Sequence, residues 1–363
     1  MPIVGAMPQT GPKLVDAVDT FAEAGRLGQP PLIVYEGLEQ IVAGRGPVEF
    51  ERIGGGHSNV TGLVRRDGEE WILRRPPRPP YPPRAHDVIR ECTILEALGP
   101  TPVPVPRVAL RCEDPRYIGA PFYLMERVQG EVLRAEIPPS WDRSDQEEIV
   151  GQLVDRLLDL HAVEPQHLGL PCRGGDTYLE RQVAMWRDRW ERSKVRELGE
   201  IDALGADLAA SLPHSQRTTM VHGDYKLDNV VFAVASAPRL VAILDWEMAT
   251  AGDPLADLGY LAAMWLGGGR DPNALLGLSR VTAAPGFPAA QALVERYGRG
   301  SDLDLEGLHW YEALAIWKLA ILLEGSYRRY LDGTDDDEFF ALLRTGVPAL
   351  ARLARDHFSR AVR

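Results

Sequence analysis

The chain has 363 residues, a hydrophobic content of 45% and a formal net charge of −12. This length allows two packed domains, whereas the negative charge argues against a surface for nucleic acid or for an anionic membrane. The three cysteines are too few and too widely spaced for a disulfide framework or a zinc site, and the apolar runs are too short to cross a bilayer. We therefore expect a cytoplasmic protein that binds neither nucleic acid nor membrane.

Residues 1–45 form an extension in which helical spacing predicts amphipathic helices at 15–24 and 32–42. The extension could cap the domain that follows it, or it could contribute to a homodimer.

Three glycines and a small polar pair separate two extended runs between residues 50 and 64. These candidate residues are Gly54, Gly55, Gly56, Ser58 and Asn59. A strand–turn–strand of this composition lets backbone N–H groups approach phosphates closely. A glycine turn is also common in an ordinary hairpin, and that alternative stays open.

The next strand is predicted at residues 70–75, where it ends in Arg74 and Arg75 before a proline-rich segment. Residues 87–98 have helical spacing, and Glu91 falls within the apolar stripe of this helix. A lone carboxylate at such a position is costly unless a cation pairs with it. Glu96, at the edge of the stripe, is the competing candidate for such a pair.

Several further elements follow in the order of the chain. Prolines hold residues 101–106 extended, and residues 120–128 are typical of a buried strand. A capping box formed by Ser144 and Glu147 predicts the start of a helix that ends near His161. Further helices are predicted within 176–212 and at 312–323, and we expect them to form scaffold or substrate-binding structure.

Two short stretches carry the residue types needed for phosphoryl transfer. The first reads V-H-G-D-Y-K-L-D-N from Val221 to Asn229, and the second reads I-L-D-W-E from Ile243 to Glu247. Asp224 can accept a proton from a hydroxyl group, while Asn229 and Asp245 offer oxygen atoms of the kind that Mg²⁺ prefers. Each residue alone could make an ordinary turn hydrogen bond. Their joint order and spacing favour a phosphotransferase.

These stretches resemble the aminoglycoside-phosphotransferase-like branch of the protein-kinase fold, whose signature is H-G-D-x-x-x-x-N followed by D-W/F-E. The stretches T-P-V-P-V-P-R-V and G-A-P-F-Y-L-M-E-R-V-x-G look most like the kinase-like domains associated with acyl-CoA dehydrogenases. The resemblance implies an α+β, bilobal fold with a small antiparallel five-stranded N-lobe and a mostly helical C-lobe. It divides the chain into an N-terminal extension (1–45), a nucleotide-binding N-lobe (46–128) and a catalytic and substrate-binding C-lobe (129–363).

The resemblance also implies roles for the residues of the larger lobe. Asp224 would be the catalytic base, and Lys226 would lie near the migrating phosphoryl group. Asn229 and Asp245 would bind Mg²⁺. Three further residues would have structural roles. Asp257 would brace the backbone of the catalytic loop, Asp253 would start a helix, and His222 would hold the geometry of the loop.

In the smaller lobe, the glycine turn would cover the ATP phosphates. Arg74 would grip them at a position where kinases have lysine, with Arg75 as the alternative, and Glu91 would pair with this arginine. Glu126 and Val128 would contact adenine through their main chains. An arginine differs from lysine in length and shape, so this substitution is not neutral.

The function implied is transfer of a phosphoryl group from ATP, with Mg²⁺, to a hydroxyl group of a small molecule. Basic residues near the C-terminus, including Arg328 and Arg329, favour a hydroxyacyl-type or other metabolite over a polycationic aminoglycoside. Two alternatives stay open: an aminoglycoside-type antibiotic phosphotransferase, and a non-catalytic nucleotide-binding pseudokinase, which only the arginine at position 74 favours.

Overall fold

The computed structural model describes residues 15–53, 59–81, 86–134, 136–168, 175–234, 237–271, 275–276, 278–333 and 338–361. Contacts divide the chain into two compact units. Unit 1 comprises Met1–Thr93 and Arg107–Arg127, and unit 2 comprises Ile94–Pro106 and Val128–Arg363. The functional division at residues 45 and 128 stays a prediction.

The described part of the N-terminal extension folds into four short elements of unit 1: β1 (Ala17–Val18), α1 (Phe21–Ala24), β2 (Ile33–Val34) and α2 (Tyr35–Ile41). The prediction of a helix over 15–24 is wrong in its first half, because β1 pairs in parallel with β2. The helix begins only after Thr20, whose hydroxyl caps the backbone N–H of Glu23. The helix predicted at 32–42 starts late for the same reason, since β2 occupies its first positions.

Unit 1 is built on an antiparallel sheet, which confirms the predicted five strands. Its strands are β3 (Glu49–Arg52), β4 (Val60–Arg66), β5 (Glu69–Arg75), β6 (Val108–Cys112) and β7 (Phe122–Glu126). The helix α3 (Val88–Leu98) begins in unit 1 and continues into unit 2 from Ile94. The strand order is β3-β4-β5-β7-β6. Leu32, Ile33 and Leu38 of the extension are buried in one core with Val64 and Leu73 of the sheet. The extension therefore completes the core of unit 1.

Unit 2 is mostly helical, as the resemblance implies. Its elements are α4 (Arg143–His161), α5 (Gly175–Ser193), α6 (Gly199–Ala210), β8 (Thr219–Val221), β9 (Val230–Ala233), β10 (Arg239–Ile243), β11 (Thr250–Gly252), α7 (Pro254–Ala263), α8 (Ala290–Gly300), α9 (Leu308–Leu331) and α10 (Leu343–Ala361). Its strands form two antiparallel pairs, β8 with β11 and β9 with β10.

The predicted start of α4 needs a correction. The N-cap is Asp142, whose carboxylate accepts hydrogen bonds from the backbone N–H groups of Ser144 and Asp145. Asp145 completes the capping box by accepting from the Asp142 N–H at 2.9 Å. The helix is therefore capped by Asp142 and Asp145, and the capping box predicted for Ser144 and Glu147 is wrong. Within the described residues, every helix is too short or too polar to cross a membrane.

Candidate active site

The loop that follows β8 is fixed by a buried aspartate of α7. The Asp257 carboxylate accepts hydrogen bonds from the backbone N–H groups of His222, at 2.6 Å, and Gly223, at 2.8 Å. Burial opposes ionisation of this carboxyl, but His161, His222 and the backbone outweigh it and lower the pKa of Asp257. Gly223 has a φ of 83°, in the left-handed region that favours glycine. The predicted bracing role of Asp257 is confirmed.

His222 connects this loop to the segment that follows β10. Its Nδ1 atom accepts from the Asp224 N–H at 3.2 Å, and its Nε2 atom donates to the Leu244 carbonyl at 2.9 Å. The tautomer with the proton on Nε2 satisfies both bonds. The ring centroid also lies 4.7 Å from that of Trp246. The predicted structural role of His222 is confirmed.

The Asp224 side chain lies at the centre of a polar cluster. Lys226 Nζ donates to both carboxylate oxygens, at 2.9 and 3.0 Å. Asn229 Nδ2 donates to Asp224 Oδ2 and to the Asp224 carbonyl, both at 2.8 Å. Tyr260, on α7, lies close enough for its hydroxyl to favour the ionised form of the same carboxylate. Burial opposes ionisation, yet the Lys226 charge and the Tyr260 hydroxyl prevail and lower the pKa of Asp224. Asp224 is therefore a hydrogen-bonded carboxylate anion.

Asp245 is anchored beside this cluster by its two neighbours in the chain. The Leu244 N–H donates to the Asn229 carbonyl at 2.8 Å, and both Leu244 and Trp246 contact His222. Asp245 itself has φ 65° and ψ 64°, a left-handed conformation that costs a non-glycine residue free energy. Carboxylates at 224 and 245 and the amide at 229 are oxygen donors of the type that suits Mg²⁺. The donor set fits a magnesium ion.

In unit 1, the structure brings together the predicted arginine and glutamate. Arg74 Nη2 lies 3.1 and 3.3 Å from the two carboxylate oxygens of Glu91. Thr61, the cross-strand neighbour of Arg74 on β4, accepts from Arg74 Nη1 at 2.9 Å. The side chains are 12% and 3% exposed, so this ion pair is largely shielded from water. The predicted pairing of Arg74 with Glu91 is confirmed.

Arg75 has a different environment from Arg74. Its guanidinium is buried and donates to the backbone carbonyls of Leu32, Pro76 and Ile118. Burial lowers the pKa of Arg75 to about 10. These bonds join the extension to the sheet, so Arg75 is a structural residue and Arg74 is the candidate for phosphate binding.

The remaining predicted nucleotide contacts are only partly described. Gly54, Gly55, Gly56 and Ser58 lie outside the described residues. Asn59 is buried, and its Oδ1 atom lies 3.1 Å from His86 Nδ1. The Glu126 N–H donates to the Arg107 carbonyl at 2.9 Å, so a main-chain contact with adenine at Glu126 is left to its carbonyl. Val128, at the start of unit 2, is partly exposed. All these nucleotide contacts stay predictions.

Three residues near the predicted site were not found from the sequence: Thr61, Tyr260 and Lys318. Tyr260 follows Asp257 by three positions on α7, a helical spacing that places it on the same face. Lys318 lies on α9, close enough for the charges of Asp257 and Asp224 to act on it. Lysine is scarce in this chain, and this scarcity is the feature of the sequence that could have singled out Lys318.

A model of the phosphotransferase enzyme family matches residues 49–293. The chain belongs to this family. It is 34% identical over 300 residues to acyl-CoA dehydrogenase family member 11 of Rattus norvegicus, a match that covers 82% of this chain and 38% of that relative. The chain thus spans well under half the length of this larger protein.

Solved structures of the phosphotransferase family share the fold. A candidate aminoglycoside phosphotransferase from Ralstonia eutropha aligns with a TM-score of 0.70 and 27% identity, covering 88% of this chain and 98% of that one. An aminoglycoside phosphotransferase in a ternary complex with ADP and hygromycin B aligns with a TM-score of 0.55 and 14% identity, over 87% of this chain and 96% of that one. At that identity, the second match shows the fold alone.

Proposed function

We propose that the chain is an ATP- and Mg²⁺-dependent phosphotransferase that acts on a hydroxyl group of a small molecule. The observation that carries this proposal is the ionised Asp224 carboxylate, held by Lys226 and Asn229 on a loop adjoining Asp245. An ionised carboxylate in a fixed position can orient an attacking hydroxyl and accept its proton. Membership of the phosphotransferase family supports this reaction class.

Each predicted site residue has a role in this proposal. Asp224 orients the acceptor hydroxyl, and Lys226 supplies positive charge at the phosphoryl group. Asn229 and Asp245 would hold Mg²⁺, which neutralises charge on the phosphates when it is bound. Arg74, with its orientation fixed by Glu91 and Thr61, would bind the ATP phosphates bidentately.

For the acceptor, we favour a hydroxyacyl-type or other metabolite over an aminoglycoside. The support is the similarity to a protein named for acyl-CoA dehydrogenase activity and the basic residues of α9. An antibiotic acceptor is the second candidate, because solved structures of this fold include aminoglycoside complexes. We also expect a cytoplasmic enzyme, and a homodimer stays a prediction.

The test is transfer of labelled phosphate from ATP to a panel of hydroxy acids, diols and aminoglycosides. We expect Mg²⁺-dependent transfer to a metabolite, reduced by about 10² to 10⁴-fold in Asp224→Asn. The matched control is Asp302→Asn, since Asp302 is an exposed residue paired with Arg217. Circular dichroism verifies that each variant is folded.

Two results would contradict the proposal in different ways. ATP binding without transfer to any acceptor, unchanged by Asp224→Asn, would indicate a nucleotide-binding module. Efficient transfer to aminoglycosides alone would support the proposed reaction but contradict the proposed acceptor class.

A further inference from the structure

The chain uses lysine at very few positions. Of its 40 basic residues only four are lysines, namely Lys13, Lys194, Lys226 and Lys318. Lys13 lies outside the described residues, and Lys194 pairs with Glu191 at 3.0 Å on the surface. The other two lysines are associated with the candidate active site: Lys226 bonds Asp224, and Lys318 is influenced by the charge of the same carboxylate.

Lys318 lies on α9 in a partly buried position against α5. Its Nζ atom donates to Gln182 Oε1 at 3.2 Å and lies 5.3 Å from the ring centroid of Trp186. In the part of the chain that the structure describes, no carboxylate forms an ion pair with this ammonium. Burial lowers the pKa of Lys318 to about 8, against the attraction of Asp257 and Asp224. A desolvated cation without an acidic partner is costly for the fold.

Trp186, the aromatic neighbour of Lys318, has an unused donor. The side chain is 5% exposed, and its Nε1–H has no hydrogen-bond partner among the described residues. Buried indole N–H groups normally find a partner. The neighbouring ammonium of Lys318 and this N–H are both donors, so an oxygen-bearing anion satisfies them better than a neutral or cationic group.

The seam between α5 and α9 carries further positive charge. Gln182, Trp186 and Arg189 recur at helical spacing on one face of α5, as do Lys318 and Arg329 on α9. The Arg189 guanidinium lies 4.9 Å from the Trp186 centroid, and burial together with the charge of Arg329 lowers the pKa of Arg189. Within the described residues, neither arginine pairs with a carboxylate. Such a basic seam is unexpected in a chain with a net charge of −12.

We propose that Lys318 and the Trp186 indole N–H form a subsite for a carboxylate or similar anionic group of the acceptor, on the Asp224 side of the α5–α9 seam. This inference rests on the proposed phosphotransferase function and specifies its substrate class. The acceptor then carries a negative charge within reach of its reacting hydroxyl group. Polycationic acceptors are disfavoured, because Lys318 and Arg189 repel them.

The test compares hydroxycarboxylic acids with their uncharged primary amides as acceptors. We expect Lys318→Met to raise KM for the acids by at least about tenfold, while kcat and the kinetics of the amides stay nearly constant. Lys318→Arg retains the charge and therefore most of the preference for acids. Lys194→Met is the matched control, because it removes a lysine that follows the last residue of α5 and pairs with Glu191.

A pH profile distinguishes a charge contact from a purely structural role. Anion binding needs the protonated ammonium, so KM for the acids should rise as the pH passes through about 8 in the wild type. In Lys318→Arg this rise should move to higher pH. The carboxylates that act on Lys318, Asp224 and Asp257, have lowered pKa values and stay ionised throughout this range, and the Tyr260 hydroxyl has a raised pKa and stays protonated.

Calorimetric binding of the acids in the presence of ADP separates this inference from the proposed function. Acid binding that requires Lys318, without phosphate transfer to any acceptor, would retain the subsite and contradict the phosphotransferase. Equal use of acids and amides by the wild type, an acid preference unchanged in Lys318→Met, or no binding of any acid would overturn the subsite.

Discussion

At the scale of single residues, the orientation of Asp224 depends on donors from different parts of unit 2. Tyr260 acts on this carboxylate from α7, and burial raises the pKa of Tyr260 well above its ordinary value, with the negative charge of Asp224 acting in the same direction. The tyrosine therefore stays protonated at neutral pH. We propose that it is a positioning residue for Asp224.

We predict that Tyr260→Phe lowers kcat by about tenfold, because a hydroxyl that favours the ionised form of Asp224 is lost. KM for ATP should change little, since this hydroxyl acts on the proposed catalytic aspartate. Steady-state kinetics with the preferred acceptor test this split. The control is Tyr311→Phe, which removes a hydroxyl bonded to Asp253 at 2.8 Å and should affect stability but not kcat. An unchanged kcat in Tyr260→Phe would show that the contact has no catalytic consequence.

The Arg74–Glu91 pair gives a second prediction. Glu91→Gln keeps the size of the side chain but removes the charge that orients Arg74, so we expect KM for ATP to rise by about tenfold. Glu96→Gln is the control, since Glu96 is an exposed residue of the same helix. Titration of both variants with ATP measures their affinities directly. Identical affinities would contradict a role of Arg74 in binding the ATP phosphates.

The sequence predicted those residues whose type and spacing carry the role by themselves. Asp253 is an example, because helix capping depends on neighbouring positions in the chain. The roles of His222 and Asp257 came from the resemblance, because the bonds of Asp257 reach a loop distant in the sequence. Tyr260 and Lys318 could not be predicted in the same way. Their contacts depend on the packing of α7 and α9 around the loop, and no local pattern specifies it.

At the scale of elements, α9 and α10 are joined by a buried carboxylate. Glu312 Oε2 lies 2.6 Å from His309 Nδ1 and 2.8 Å from His357 Nδ1. Burial opposes ionisation of Glu312, but its bonds to His357 and His309 prevail and lower its pKa from the ordinary value of 4.5. This carboxylate therefore stabilises the folded state in its ionised form.

The sign of the pH effect follows from this lowered pKa. The stabilisation by Glu312 is fully present above pH 4.5 and is lost as the pH falls through the lower value in the folded protein. We predict that wild type and Glu312→Gln differ in melting temperature at pH 6 and that the difference shrinks as the pH falls below 4.5. Differential scanning fluorimetry over this range tests the prediction. A difference that is constant with pH would contradict it.

The types of the elements were predicted better than their ends. Extended runs beside a glycine turn and a proline-rich segment predicted strands between residues 50 and 75, and an apolar run predicted a strand at 120–128. The number of five strands came from the resemblance. Helix starts were less accurate. The helix α4 is capped by Asp142 and not by the predicted Ser144, because the Asp142 carboxylate accepts two backbone hydrogen bonds. At β1, pairing with β2 overrode the helical pattern.

At the scale of the whole molecule, each unit contains some of the predicted site residues. Unit 1 contains the Arg74–Glu91 pair, and unit 2 contains Asp224, Asn229 and Asp245. The family match spans both units, since it extends from residue 49 to 293. The N-terminal extension precedes this match, and its described residues belong to the core of unit 1.

The central claim is that Asp245 and its neighbours bind the Mg²⁺ complex of ATP. The most direct measurement is calorimetric binding of ATP with and without Mg²⁺ to the wild type, to Asp245→Asn and to the exposed control Asp302→Asn. We predict that Mg²⁺ tightens ATP binding by at least about tenfold in the wild type and the control, but only slightly in Asp245→Asn. An equal effect of Mg²⁺ on all three proteins would contradict the account.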